Sequence, residues 1–155
     1  MHTDSPIPAQ LSVVAWSDPV IDALGFSFSH CYSEIVALPH LGPSATLAWR
    51  RLAGTLAQRP DGFTLELVEF AHAQGLGAGT ARNAPVSRTL RRLAAFGLAR
   101  FVDDATYAVR RYMPPVSGSQ LRRLRPEIAR IHTALLAAHD AERRGDTRPP
   151  IGKGA

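Results

Sequence analysis

The sequence predicts a mainly helical protein that carries one small β-hairpin. Three observations predict this class. The chain has 155 residues, of which 45% are hydrophobic and 20% charged, so it can bury one core of ordinary size. Between residues 44 and 96, apolar side chains recur at spacings of three and four in three successive segments. Two short apolar runs on either side of an Asp-Asp turn then indicate a hairpin.

The sequence divides into five predicted segments, which are 1–10, 11–43, 44–116, 117–143 and 144–155. The first and last are rich in Pro, Gly and small polar residues and are predicted to be disordered. The second is an acidic extension with a short strand, LSVVAW, and short helices. The third is the main domain. The fourth is a C-terminal helix that Pro126 interrupts.

Capping signals mark the ends of the helices in the acidic extension. Ser17 or Asp18 can cap a short helix that Gly25 ends. A second helix is predicted from Ser29 to Leu38, with Pro39 stopping it.

The main domain contains three predicted helices and a hairpin. The helices begin at the capping residues Ser44, Thr64 and Asn83, and the third helix spans 84–96. A glycine directly after that helix fits a C-terminal stop. The hairpin spans 98–112 and turns at DDAT.

Three helices followed by a hairpin resemble the winged helix-turn-helix DNA-binding fold. The sharpest part of the resemblance is PVSRTLRRLAAFGLARFVDDATYAVRR. The strings DPVIDALGF, LPHLGPSA, GLGAGTARNAP, RTLRRLAAFGLAR and AVRRYMPP are also similar to a group of uncharacterised helix-turn-helix proteins from GC-rich bacteria. The resemblance implies a recognition helix at 84–96 and a wing at 98–112. It implies DNA binding by analogy of fold.

The distribution of charge points to an anionic partner. The net charge is +5, and 17 of the 18 basic residues are Arg. Residues 1–49 contain four acids and no Lys or Arg, whereas residues 80–130 contain eleven Arg and three acids. Such a basic segment favours double-stranded DNA over a membrane surface as the partner. The expected role is a sequence-specific transcriptional regulator.

The third helix carries its arginines opposite its apolar residues. If Val86, Leu90 and Leu93 face the core, the polar side chains on the other side can enter the major groove, where Arg binds guanine. The predicted DNA contacts on the helix, its start and the wing are Arg82, Asn83, Ser87, Arg88, Arg91, Arg92, Arg100, Arg110 and Arg111. The alternative is a solvated arginine face. Acidic residues at the hairpin tip argue against deep insertion of the wing.

An apolar stripe on the C-terminal helix has two interpretations. The stripe consists of Leu121, Leu124, Ile128, Ile131 and Leu135. It can pair with a second copy and form the homodimer that palindromic DNA sites require. Alternatively, the helix folds back over the acidic N-terminal helices.

Other functions receive less support from the sequence. The loop GLGAGTAR lacks the preceding strand and the Gly-Lys-Ser/Thr of a nucleotide site. The pairs Glu69–His72 and His132–His139 lack further metal ligands. We therefore expect no enzymatic activity and no cofactor. The alternative functions are a protein-interaction adaptor, which would use the acidic N-terminal segment, and a replication or partition protein of a mobile element.

The sequence also predicts where the protein works. A single cysteine, Cys31, cannot form an internal disulfide. The N-terminus lacks signal-peptide features, and no apolar run has the length of a membrane span. The expected location is the cytoplasm, on the nucleoid when DNA is bound.

Overall fold

A four-stranded mixed sheet lies at the centre of the computed structural model, which describes residues 5–146. In chain order the strands are β1 (Gln10–Ala15), β2 (Phe26–Ser27), β3 (Phe63–Glu66), β4 (Ala99–Phe101), β5 (Thr106–Val109) and β6 (Tyr112–Met113). The main sheet has the spatial order β3-β1-β5-β4, and β2 and β6 form a separate antiparallel pair. The sheet is therefore larger than the single predicted hairpin.

Helices account for about half of the described residues. They are α1 (Pro19–Leu24), α2 (Leu38–Leu41), α3 (Pro43–Gln58), α4 (Leu67–Ala73), α5 (Pro85–Ala95), α6 (Gly118–Leu121) and α7 (Pro126–Arg143). A short π-helix, Ser33–Ala37, leads into α2. The protein is thus helix-rich with a small mixed sheet. Within the described part of the chain, no helix has both the length and the apolar character of a membrane span.

The N-terminal strand β1 joins the two halves of the sheet. It pairs antiparallel with β3 and parallel with β5, and its Leu11 and Val13 are fully buried. The predicted strand is confirmed. Its assignment to an extension outside 44–116 is wrong, because both neighbouring strands belong to that range.

The segment before β1 is ordered from Ser5 onwards. Ile7 is buried in the core, and the backbone N–H of Leu67 donates to the carbonyl of Ala9. The prediction of disorder for residues 5–10 is therefore wrong, since an apolar contact and a backbone hydrogen bond hold the segment. Residues 1–4 lie outside the described residues.

The second helix of the main domain starts later than predicted. Thr64 is not a helix cap but lies in strand β3, and α4 begins at Leu67. Residues 63–67 alternate apolar and polar side chains, which is the period of a strand. Leu65 points into the core opposite Leu11 of β1.

The caps of the first helix are confirmed. The Asp18 side chain accepts hydrogen bonds from the backbone N–H groups of Val20 and Ile21, and Gly25 follows the last turn. The second predicted helix differs, because Pro39 lies in the first turn of α2 instead of ending a helix. A first-turn proline loses no helical hydrogen bond there.

Two predicted N-caps are displaced by one or two residues. Gly42, not Ser44, precedes α3, and Ala84, not Asn83, precedes α5. Neither helix has a side-chain cap, and a proline opens each of them. The glycine stop after α5 is confirmed, since Gly97 has a φ of 72°.

The predicted hairpin is confirmed as β4 and β5, which pair antiparallel. Its second strand is shorter than predicted. It ends at Val109, and Tyr112 belongs to β6, which pairs with β2.

The C-terminal helix folds back over the N-terminal elements. Pro126 interrupts it as predicted, and α7 packs against the π-helix. Leu124, Ile128 and Leu135 pack against the core, whereas Ile131 remains 37% exposed. Most of the stripe predicted to pair with a second copy is therefore used within this chain.

The predicted disordered tail starts too early. Arg144 closes the last turn of α7, and an ion pair joins it to Asp146. Residues 147–155 lie outside the described residues.

Aromatic rings and histidines join α7 to the body of the protein. The Tyr32 hydroxyl lies 2.8 Å from Nδ1 of buried His132. Phe26 stacks between Tyr32 and His139, with ring centroids 3.8 and 4.4 Å apart. His139 also contacts the carbonyl of Gly25 at 3.1 Å. The docking of α7 thus depends on imidazole groups at both ends of the contact.

Stability should fall as the pH drops from about 7 towards 5. Burial lowers the pKa of His30, His40 and His132, with His139 adding to the effect on His30 and with Arg92 and Arg123 adding to it on His40. The unfolded chain then takes up protons first, so stability present above the unfolded pKa of about 6.5 is lost on acidification. Urea unfolding at several pH values measures the change.

A matched pair of variants tests the source of this pH dependence. His132→Gln should weaken this dependence without abolishing it, because His30 and His40 still contribute. His72→Gln is the matched control, because it makes the same chemical change at an exposed position on α4. Equal profiles for both variants would contradict the assignment.

Candidate nucleic-acid interface

The buried face of α5 fixes its orientation on the protein. Val86, Leu90 and Leu93 are fully buried, as predicted. The Tyr107 hydroxyl of β5 donates to the carbonyl of Leu90 at 2.8 Å. Burial raises the pKa of Tyr107, so the hydroxyl keeps its proton for this bond. The helix is therefore held firmly to the sheet, with its opposite side towards solvent.

The exposed side of α5 is basic. Arg88 and Arg92 are four residues apart and exposed, and α5 contains three arginines and no acid. Within residues 5–146, the Arg88 guanidinium makes no hydrogen bond or ion pair. Its five N–H groups therefore have no acceptor among the described residues.

Arg92 is held at one edge of this side. Its guanidinium donates to the carbonyls of Leu41 and His40, the second at 3.1 Å, and lies 5.0 Å from the Phe96 ring centre. These contacts use part of its donors and fix the rotamer. Arg92 can still present the remaining N–H groups to a ligand.

Arg91 is held at the other edge. It donates to the carbonyls of Arg82 and Ser5, both at 2.7 Å. The three arginines therefore diverge around the helix instead of forming one open row, and Arg91 is tied to the N-terminal segment.

Ser87 is not part of the exposed side. It is fully buried, and its hydroxyl donates to the carbonyl of Thr80 at 3.3 Å. The prediction that Ser87 contacts DNA is wrong, because its side chain holds the loop before α5 in place.

The start of α5 offers two further polar side chains. Arg82 and Asn83 are both exposed in the connection between α4 and α5. This connection is longer than the turn of three or four residues usual in a helix-turn-helix. Both side chains lie on the approach to the first turn of α5.

The hairpin presents mixed charge. Arg100 is exposed, with its guanidinium carbon 4.6 Å from the Trp16 ring centre. Asp103 and Asp104 are exposed at the tip. The Asp103 carboxylate accepts the N–H of Ala105 at 2.8 Å, and this bond lowers its pKa. Asp103 therefore builds the turn, and the tip stays negative.

Arg110 is a structural residue. Its Nε donates to the Gly97 carbonyl at 2.8 Å, and Nη1 lies 3.2 Å from Asp18. Its guanidinium carbon is 3.7 Å from the Trp16 ring centre, and only 11% of the side chain is exposed. The prediction that Arg110 contacts DNA is wrong, because these contacts join the end of α5, β5 and the cap of α1.

Arg111 is also engaged within the chain. Its Nη2 lies 3.7 Å from the Asp22 carboxylate, and 36% of its side chain is exposed. Its charge is largely neutralised there, so it contributes less to a basic surface than predicted.

The acidic N-terminal segment pairs with the basic residues that follow it. Asp18 contacts Arg110, Asp22 contacts Arg111 and Glu34 contacts Arg50. The fourth acid, Asp4, lies outside the described residues. The observation that favoured a protein partner through this segment is thus accounted for by contacts inside the protein.

A cleft opens beside the basic side of α5. It has a volume of about 360 Å³ and lies between the start of α3 and the first turns of α5. Arg88, Arg92, Ser44 and the backbone of Gly42 line it. The lining drawn from the described residues contains no acidic side chain.

The histidine pairs considered as metal ligands have other surroundings. His132 contacts Tyr32, and His72 lies exposed on α4. Among residues 5–146, no three His, Cys, Asp or Glu side chains come together in a group that could hold a metal ion.

Comparison of the chain with protein-family models, with curated proteins and with solved structures found no match in any of the three.

Proposed function

We propose that this protein binds double-stranded DNA through α5 and acts as a transcriptional regulator of the winged helix-turn-helix type. The proposal rests mainly on the surroundings of Arg88. This arginine is exposed on a firmly packed helix without acids and has no partner among residues 5–146. A rigid helix with such a face suits the major groove and the phosphates beside it.

The order of elements supports the same class. Helices α3, α4 and α5 are followed directly by the hairpin β4–β5, which is the order of a winged helix. Strand β1 is an addition between β3 and β5. In this proposal α5 is the recognition helix and the hairpin is the wing.

Contacts inside the protein leave fewer arginines for the predicted DNA interface. Arg88 makes the principal contact, with Arg92 beside it. Arg82 and Asn83 face the DNA at the start of α5, where Asn can read adenine. Arg100 contacts the backbone from the side of the wing, because the acidic tip cannot approach phosphates closely.

Titration of a fluorescently labelled duplex pool of random sequence tests the proposal. We expect binding at about 50 mM salt and a steep loss of affinity towards about 200 mM, since phosphate contacts release counterions. Selection of bound duplexes from the pool should then enrich one sequence motif. Absence of binding at about 50 mM salt would overturn the proposal.

A further inference from the structure

The cleft beside α5 has the chemistry of a phosphate site. We infer that it binds one phosphate group and, resting on the proposed function, that this group belongs to the backbone of a bound duplex. Arg88 then contacts the DNA backbone. The sequence alone suggested that it contacts a base edge.

Two arginines supply the recognition. Arg88 has all its donors available within the described part of the chain, and Arg92 keeps those not used by the carbonyls of His40 and Leu41. Guanidinium groups match phosphate oxygens in pairs of hydrogen bonds. Because Arg92 is already held by two carbonyls, it loses little conformational freedom on binding.

The electrostatic surroundings favour an anion. No acidic side chain from residues 5–146 lines the cleft, and neither α3 nor α5 has an acid in its first turn. The charged side chains that line the cleft, Arg88 and Arg92, are thus both positive.

The opposite wall adds backbone and hydroxyl donors. Gly42, which has no side chain, precedes α3, so no side chain caps the amides of Ser44 and Ala45. The Ser44 hydroxyl makes no hydrogen bond to another described residue. A volume of about 360 Å³ is at the lower end of small-ligand clefts, which suits a phosphate with part of its sugar.

Amide chemical shifts of the full-length ¹⁵N-labelled protein test the inference. Inorganic phosphate is titrated against sodium chloride at constant ionic strength. We expect saturable shifts at Ser44 and Ala45. Arg88→Gln should weaken this binding about fivefold or more, because a charge-assisted pair of hydrogen bonds is lost. Arg59→Gln, an exposed arginine about 22 Å away along α3, is the matched control and should change nothing.

Addition of a duplex separates this inference from the proposed function. The duplex should shift the amides of Ser44 and Ala45, and phosphate added afterwards should not alter these shifts. That result would support both the phosphate site and DNA binding. If phosphate binding saturates but the duplex shifts no amide of the protein, the cleft is a site for free phosphate. That result would overturn both the backbone assignment and DNA binding. Duplex binding that leaves Ser44 and Ala45 unshifted would overturn the cleft assignment alone. Phosphate shifts that do not saturate, or that persist in Arg88→Gln, would also overturn it.

Discussion

Replacement of Arg110 by alanine should lower the free energy of unfolding by about 3 kcal/mol. The change removes the hydrogen bond to the Gly97 carbonyl, the contact with Asp18 and the stacking on Trp16. It also leaves a void where a side chain only 11% exposed had packed. The hydrogen bond from Arg110 contributes to the lowered pKa of Asp18, after the stronger bond from the Ile21 N–H. Urea unfolding at pH 7 measures the loss.

Arg100→Ala is the matched control for this change. Arg100 stands over the same tryptophan, but it is exposed and is held by fewer contacts. Its loss should cost less than about 1 kcal/mol. If Arg110→Ala cost as little unfolding free energy as Arg100→Ala, the structural role of Arg110 would be contradicted.

Tyr32→Phe should lower the free energy of unfolding by about 2 kcal/mol. The Tyr32 hydroxyl accepts the N–H of Val116 at 2.9 Å and lies 2.8 Å from Nδ1 of His132. Burial raises the pKa of Tyr32 to about 12, so the hydroxyl keeps its proton. Without this hydroxyl, the buried His132 imidazole and the part-buried N–H of Val116 lose their partner. Hydrogen exchange in α7 should accelerate together with the fall in stability.

Tyr112→Phe provides the same chemical change at a different site. Its hydroxyl makes no hydrogen bond within residues 5–146, so the unfolding free energy should remain within about 0.5 kcal/mol of the wild type. If Tyr32→Phe also proved neutral, the hydroxyl would not be what secures α7.

Elements with strong local signals could be predicted from the sequence. Asp18 and Gly25 bound α1, Gly97 ends α5, and Pro126 begins α7, because capping and ring geometry act within a few residues. Strand β3 carried an equally local signal in the alternation of residues 63–67. However, Leu65 and Val68 are also spaced as in a helix, and for this reason the helix was predicted to begin at Thr64.

The arrangement of the site depends on contacts between distant residues. Arg91 is tied to Ser5, 86 residues away, and Arg110 to Asp18, 92 residues away. No spacing in the sequence reports such pairs, so exposed and structural arginines looked alike. The position of β1 between β3 and β5 is non-local for the same reason. Ser87 was misassigned because the polar side of α5 is narrower than a plain helical wheel suggests.

Duplex affinity of Arg88→Ala, measured beside Arg59→Ala across a range of salt concentrations, tests whether α5 binds DNA through Arg88. We predict that Arg88→Ala weakens binding about tenfold for every sequence and reduces the slope of log affinity against log salt by about 0.9, the value for one phosphate. Arg59→Ala should stay within about twofold of the wild type, since it removes the same charge at the end of α3 opposite to the cleft. Equal affinities and slopes for the two variants would contradict recognition of DNA by α5.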